Sequence, residues 1–402
     1  MIVEKEYTEG RTSFLSADLD HYSVSQKQPT TDLPVFYNPI MRLNRDLSVL
    51  FLRTYLQDRP VELMCEPLAG SGVRTLRYLN ECPGQFKALM FDVNPIAVEM
   101  AQKNIERHGF TDRAQVKKGD AKVLLLTESR KQRFDFVDVD PFGSPALYLN
   151  AAIQSLKPRE GLLALTATDM PVLCGVYPSV ALRKYGGLSI RAPFVHELAV
   201  RLLIGSVYSV AGMNDSSIVP LAVLSTNHYI RVWLRVEGSR SEGNLQADRM
   251  GLIRYCNTCM RVEIVPVKDW AQAAGFSHET DGCGGKPAVA GPLWTGTLFD
   301  GSMLDEAQKI LSSDDDLAFD GRASKLLALM REEVRLTGIP YIDLHEVCDL
   351  HNLTPPKTDT VIQTLKECGH ATSRTHFRPT AIRTEASVSD LVRAITDLAG
   401  VK

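Results

Sequence analysis

Between Val61 and Asp169 the chain alternates short apolar runs with helical stretches. VELMCEP (61–67), ALMFDVN (88–94), AQVKKGDA (114–121), FDFVDVDPFG (134–143) and LLALTATD (162–169) read as strands. One helix follows the Gly-rich LAGSG and runs through Arg74 to Leu79; another follows the second strand to about His108. Strands separated by helices return in the same direction and build a parallel, doubly wound sheet. The pattern predicts an α/β, Rossmann-like domain. Two further strand candidates, SIVPLAVLST and YIRVWLRV near 217–236, can complete the sheet.

One such sheet does not account for 402 residues, and two or three domains are expected. The polar, Gly/Ser-rich EGSRSEGN (237–244) marks a boundary, dividing the chain into 1–240 and 241–402. After it come a Cys-containing segment, 250–290, and GSMLDEAQKILSSDDDLAFD (301–320), whose six acids and one base predict a solvated stretch. The tail, 322–402, predicts a helix over 322–336 with Leu326, Leu329, Met330 and Val334 on one face. Further helices are expected at 343–350, from Pro356 to Gly369, and from Val388 to Leu398. SRTHFRPTAIRT, turning at Arg378-Pro379-Thr380, supplies a hairpin. Three helices, a hairpin and a helix suggest an α+β, winged-helix-like domain.

Composition removes several classes of function. Hydrophobic residues at 44% and charged residues at 23% suit a globular enzyme and exclude wholesale disorder. No uncharged apolar run approaches the ~20 residues of a membrane span. The charged start, MIVEKEYTEGRTSF, has no apolar signal core, so a cytoplasmic protein is expected, by default a monomer. The net charge of -3 requires any nucleic-acid contact to rest on local positive charge. Of eight cysteines only Cys256 and Cys259 form a close pair, which suits a reducing compartment rather than a disulfide framework.

The chemistry concentrates at predicted strand ends. Glu66-Pro-Leu-Ala-Gly70-Ser-Gly72 closes the first strand ahead of a helix, and glycines there let a ligand approach the backbone. Asp92, 26 residues after Glu66, ends the second strand, where a carboxylate can hold vicinal ribose hydroxyls. That spacing fits a dinucleotide fold or an S-adenosylmethionine (SAM) methyltransferase. Asp120-Ala121 follows the third strand, where methyltransferases commonly place an acid against the adenine amino group. Each of these also reads as an ordinary turn taken alone.

Asp140-Pro141-Phe142-Gly143 ends the fourth strand and is the sharper signal. An exocyclic amino nitrogen is conjugated with its ring and nearly non-nucleophilic. An Asp side chain and a backbone carbonyl that accept its two hydrogens favour the geometry in which its lone pair faces a methyl donor. The following aromatic can stack on the base. Upstream, VFYNPIMRLNRDLSV (35–49) brings Phe36 and Tyr37 ahead of a helix that carries Arg45.

FYNPIMRLNRD, DPFGSP, TATD and SRTHFRPTAIRT, in this order, together resemble the tRNA guanine-26 N2-dimethyltransferases, and LCG (173–175) and LRKYG (182–186) look like that family's. The resemblance runs from about Glu9 to Thr384. It implies a class I methyltransferase fold, SAM as methyl donor and tRNA as substrate. It implies that Arg45 and Arg74 contact SAM, that Asp92 holds its ribose, and that Asp120 with Ala121 holds its adenine. It makes Asp140 the catalytic acceptor, with Phe36 and Phe142 sandwiching the guanine. The turn carrying Glu66, Gly70 and Gly72 varies within the family, so its place at the cofactor rests on the local pattern. DNA adenine or cytosine amino-methyltransferases are the nearest alternative, but they usually carry Pro-Pro after the acid. A silent RNA-binding protein is a third reading, opposed by the intact acids 92, 120 and 140.

Cys256-x2-Cys259 and Cys283-Gly-Gly offer three of the four tetrahedral ligands that zinc takes. The second pair is broken, since Thr280 stands where a cysteine would. His278 is the candidate fourth ligand; a degenerate site with free thiols is the alternative. The tail concentrates Lys366, Arg374, Arg378 and Arg383, with His370 and His376, against the single acid Glu367 within 366–384. Such a patch predicts phosphate contacts that give affinity and register.

Overall fold

The computed structural model describes residues 2–22, 33–269, 283–314 and 317–400. The chain opens with an antiparallel hairpin, β1 (Glu4–Glu9) and β2 (Thr12–Ala17). The predicted strands follow as β3 (Leu63–Glu66), β4 (Lys87–Asp92), β5 (Ala114–Lys118), β6 (Phe136–Val139) and β7 (Gly161–Ala167), then β8 (Ser217–Ser225) and β9 (Ile230–Glu237). They form one seven-stranded sheet, ordered β5-β4-β3-β6-β7-β9-β8.

β3 to β7 pair in parallel, as expected, and every residue of β7 is buried. The sheet as a whole is mixed, because β9 runs antiparallel to both β7 and β8. Residues 226–229 are all that join β8 to β9, and Thr226 N closes that turn on Tyr229 O at 2.9 Å. So short a link makes a hairpin; a parallel return needs a crossover of a dozen residues or more.

The first hairpin left no mark in the sequence reading. It is fastened by Asn104 on the helix Pro95–Arg107, whose Nδ2 donates to Leu15 O (2.9 Å) and Ser71 O (2.9 Å) and whose Oδ1 accepts from Leu15 N (2.7 Å). The hairpin thereby lies against the side of the sheet that carries the Gly-rich turn.

Beyond the sheet, β10 (Met250–Tyr255), β11 (Val262–Pro266) and β12 (Ala288–Trp294) form a small antiparallel sheet, ordered β11-β10-β12. β12 presses on the helix Val195–Met213 at Gly205, where a Cβ would come within 3.1 Å of Leu293 Cα and Trp294 N. Segment 301–320 is not the solvated stretch its charge suggested. Its helix, Gly301–Ser313, buries Met303, Leu304, Ala307 and Ile310, and it packs on the helix Arg42–Asp58. Asp305, the helix's exposed acid, lies off that buried stripe, so charge counting alone missed an amphipathic helix.

The last region holds the helices Gly321–Glu333, Leu344–His351, Thr358–Glu367 and Val388–Gly400. They surround a three-stranded antiparallel sheet of β13 (Ile342–Asp343), β14 (Thr372–Arg374) and β15 (Ala381–Thr384), ordered β13-β15-β14. The hairpin stands where expected, with Thr372 opposite Thr384. The buried stripe of Gly321–Glu333 is Ala323, Leu327, Met330 and Glu333; Leu326, Leu329 and Val334 are only half-buried.

The cationic tail is a correction. Arg383 is wholly buried, with Nη2 3.0 Å from Glu197 and Nε paired with Glu333. His376 is also buried on Glu333. Arg374 pairs with Asp359, and Arg378 Nε lies 2.7 Å from the buried Asp343. These cations are answered by protein acids contributed from elsewhere in the chain, which a count within 366–384 did not include. Arg383 is a structural residue joining the tail to the helix Val195–Met213. Among the described residues, no helix is long and apolar enough to cross a membrane.

Candidate active site and metal centre

The parallel strands deliver Glu66, Asp92, Asp120, Asp140 and Asp169 to one edge of the sheet, where such folds open their ligand crevice. On the β3–β4 side, Gly70 and Gly72 have φ of +54° and +77°, a conformation that costs glycine little. A Cβ on Gly70 would stand 3.1 Å from Phe36 O, so the turn also lies close under the upstream aromatic segment. Gly70 N donates to Asp92 Oδ2 (2.8 Å) and Asn94 N to Asp92 Oδ1 (2.9 Å). A carboxylate has about four acceptor positions, so both oxygens keep room for a ribose hydroxyl. Asp120 caps the helix Ala121–Glu128, its Oδ1 accepting from Lys122 N (2.9 Å) and Val123 N (3.2 Å). Its Oδ2 faces solvent, 3.7 Å from Lys122 Nζ, while Ala121 is buried beside it.

Asp140 follows β6 and is ion-paired with Arg74 Nη2. Arg74 is itself buried, and its Nη1 donates to Asn44 Oδ1 (2.9 Å) and Ser48 Oγ (3.2 Å). Asp138 Oδ2 and Glu66 Oε1 each lie 3.7 Å from its nitrogens. Arg231 of β9 grips Asp138 with both terminal nitrogens, and Tyr78 OH donates to the same carboxylate at 2.6 Å. Burial would raise Asp138, but Arg231 and Arg74 outweigh it and hold the carboxyl below its usual range. Glu66 goes the other way: burial pushes it up to about 8 against the opposing pull of Arg74 and Thr75. At neutral pH Glu66 is therefore largely protonated beside Arg74.

Arg45 lies next to this wall. Its Nε and Nη2 bind the two oxygens of Glu9 at 2.6 and 2.5 Å, and Nη2 also donates to Asn38 O (2.8 Å). Tyr37 OH completes the set on Glu9 at 2.8 Å. Burial would raise Glu9, but Arg45 overrides it and keeps the carboxyl below its usual value. Glu9 was missed from sequence, because nothing in EKEYTEG distinguishes it from its neighbours.

Phe36 and Phe142 do meet, with ring centroids 4.4 Å apart and planes at 80°. That is edge-to-face contact and leaves no slot between parallel faces. Phe142 is 60% exposed, so its outer face is open to solvent. The loop beneath is fixed: Gly143 N donates to Thr168 Oγ1 (2.7 Å) and Thr168 N to Gly143 O (2.9 Å). The TATD motif thus braces the DPFG motif.

Cys256, Cys259 and Cys283 place their sulfurs within 4.8 Å of one another. The Cys256–Cys283 separation is 3.8 Å, and tetrahedral Zn–S bonds of ~2.3 Å give S–S edges of about 3.8 Å. Burial would raise Cys256, but backbone N–H groups of Cys259 and Thr258 bring it to about 6, whereas burial takes Cys259 up to about 11. The cluster has the donors and spacing to bind zinc with one more ligand. His278 and Thr280 lie outside the described residues.

A mixed seven-stranded sheet, a Gly-rich turn hydrogen-bonded to an acid at the next strand end, and Asp-Pro-Phe-Gly at the fourth define a class I SAM-dependent methyltransferase. The profile of the family N2,N2-dimethylguanosine tRNA methyltransferase matches residues 17–396. A tRNA (guanine(26)-N(2))-dimethyltransferase of Methanosphaera stadtmanae is 32% identical over 367 residues, 91% of each chain. One of Thermococcus kodakarensis is 34% identical over 371 residues, 88% of this chain and 91% of the relative. The structure of Trm1 from Pyrococcus horikoshii with S-adenosyl-L-methionine superposes with a TM-score of 0.80 at 27% identity, covering 97% of this chain and 99% of that one. The chain belongs to the N2,N2-dimethylguanosine tRNA methyltransferase family.

Proposed function

We propose that the protein transfers methyl groups from SAM to the exocyclic N2 of guanine 26 in tRNA, giving N2-methylguanosine and then N2,N2-dimethylguanosine. The observation that carries this reading is Asp140 at the end of β6, braced by Arg74 and flanked by Phe142 and Phe36. SAM supplies an electrophilic methyl group. Asp92 accepts from its ribose hydroxyls, Asp120 Oδ2 from its adenine amino group, and Ala121 N–H donates to the adenine ring. Gly70 admits it close to the backbone, and Arg45, oriented by Glu9, faces its charged end.

Asp140 accepts a hydrogen of guanine N2 and turns the nitrogen lone pair toward the donor. Arg74 spans both halves of the crevice, from Glu66 to Asp140. A base within folded tRNA must leave its stack to reach this point, and Phe142 opens to receive it. As the N2–CH3 bond forms the S–CH3 bond breaks, S-adenosylhomocysteine leaves and one N2 proton is lost to solvent, so after one transfer N2 still carries a hydrogen for Asp140. After the second it carries none, and the reaction stops at the dimethylated base.

The tail is read as a winged-helix-like module that holds tRNA, its helices packed around the β13–β15 sheet and the β14–β15 hairpin forming the wing. Nucleoside mass spectrometry of a tRNA transcript incubated with SAM tests the assignment. Dimethylguanosine is expected from the normal transcript and is absent when guanine 26 is replaced. Product from the replaced transcript would refute the position.

A further inference from the structure

The tail's cations are largely spent on protein acids, which leaves open what holds the RNA beside the reacting base. Arg183 and Arg191 are different: both are exposed, and neither makes an ion pair or hydrogen bond among the described residues. Both follow, in sequence, a segment that exposes Val176 (43%), Tyr177 (55%) and Leu182 (48%), apolar side chains left bare on the surface.

The segment is rigidly tied to the crevice. Asp169, next to the Thr168 that braces Gly143, accepts from Tyr185 OH (2.6 Å) and Lys184 Nζ (3.2 Å) at the end of the helix Pro178–Tyr185. Val176 N returns to Pro171 O at 2.9 Å. Ser189 Oγ donates to Leu173 O at 2.6 Å, and a Cβ on Gly175 would lie 2.8 Å from the Ile190 backbone. Residues 176–191 are therefore held to the loop that carries Phe142, itself exposed, through the same Thr168-Asp169 motif that fixes that loop.

We propose that this surface is a nucleotide-docking platform for the tRNA residues flanking guanine 26. Tyr177 stacks on a neighbouring unstacked base, while Arg183 and Arg191 neutralise the phosphates on either side. Aromatic faces accept any base, and unpaired arginines match a phosphate backbone. Extruding one base disrupts the stacking of its neighbours, so a platform at the mouth compensates for part of the opening. This proposal rests on the methyl-transfer reading for its choice of RNA, and it extends that reading to residues given no role there.

The test is equilibrium binding of a tRNA transcript to the full chain, which requires no turnover. Tyr177→Ala should weaken tRNA binding on the order of ten-fold, and Tyr177→Trp should restore it. Arg183→Glu with Arg191→Glu should weaken binding further and lower the log–log salt slope by roughly 0.7–0.9 for each lost phosphate contact. SAM affinity by calorimetry should be unchanged in all of them, which also reports that they fold. Wild-type tRNA affinity and salt slope in the double arginine variant, or equal affinity of Tyr177→Ala and Tyr177→Trp, would overturn the platform. A wild-type protein that binds tRNA through these residues yet leaves guanine 26 unmethylated would instead overturn the functional reading.

Discussion

Arg231 reaches Asp138 with both terminal nitrogens at 2.7 Å, and Asp138 stands two residues before Asp140 on the same chain segment. Thr166 of β7, the strand between them, also accepts from Arg231 at 3.0 Å. The charge that supports Asp140 is therefore assembled across three adjacent strands, with Arg74 closing it from the helix Val73–Glu81. Buried charges of this kind persist only when paired and hydrogen-bonded.

Asp140→Ala should abolish methyl transfer and spare the donor. Arg74 keeps Asp138, Asn44 and Ser48 around it, so the wall survives the loss. The rate should fall on the order of 10²–10⁴, with SAM affinity by calorimetry nearly unchanged. Near-normal turnover would remove Asp140 from the acceptor role.

Asp92→Ala should do the reverse. It removes the acceptor proposed for two ribose hydroxyls and also leaves Gly70 N without its 2.8 Å partner. A loss of roughly 1.5–3 kcal/mol in SAM binding is expected from a charged acceptor. Calorimetric titration showing wild-type affinity would end the ribose assignment.

Arg383→Met should destabilise the protein, by about 3–5 kcal/mol, because it takes a buried guanidinium away from Glu333 and leaves Glu197 with Arg201 as its cation. Burial would raise Glu333, but Arg383 and His376 outweigh it and hold the carboxyl at about 2, against 4.5 ordinarily. A lowered carboxylate contributes stability that is present above about pH 4.5 and is lost as pH falls toward 2. Urea unfolding across that window should show the decline in the wild type and a flatter profile in Arg383→Met. Intact stability in the variant, with tRNA binding lost instead, would return Arg383 to the RNA surface.

Purified protein should carry about one zinc per chain, read by elemental analysis. Cys283→Ser should lower occupancy and speed amide exchange in β10 and β12, the strands that pair beside the cluster, without changing SAM affinity. Metal-free protein of equal stability would leave three thiols with no ion to hold.

The sequence alone determined the alternation of strands and helices that makes the parallel core, the acids 92, 120 and 140 at its strand ends, and the family. Those signals are local: apolar runs between helices, a left-handed glycine where the turn tightens, an acid at a strand end, and motif order. Tertiary structure decided which charges answer which. Glu9 meets Arg45 across 36 residues and Arg383 meets Glu197 across 186, distances over which periodicity and spacing carry no information. It also decided that Phe36 and Phe142 rest edge to face, the arrangement in which one ring's positive edge meets the other's negative face. The helix Gly301–Ser313 shows the same division, its charge legible in one dimension and its buried face only once the helix Arg42–Asp58 lies against it.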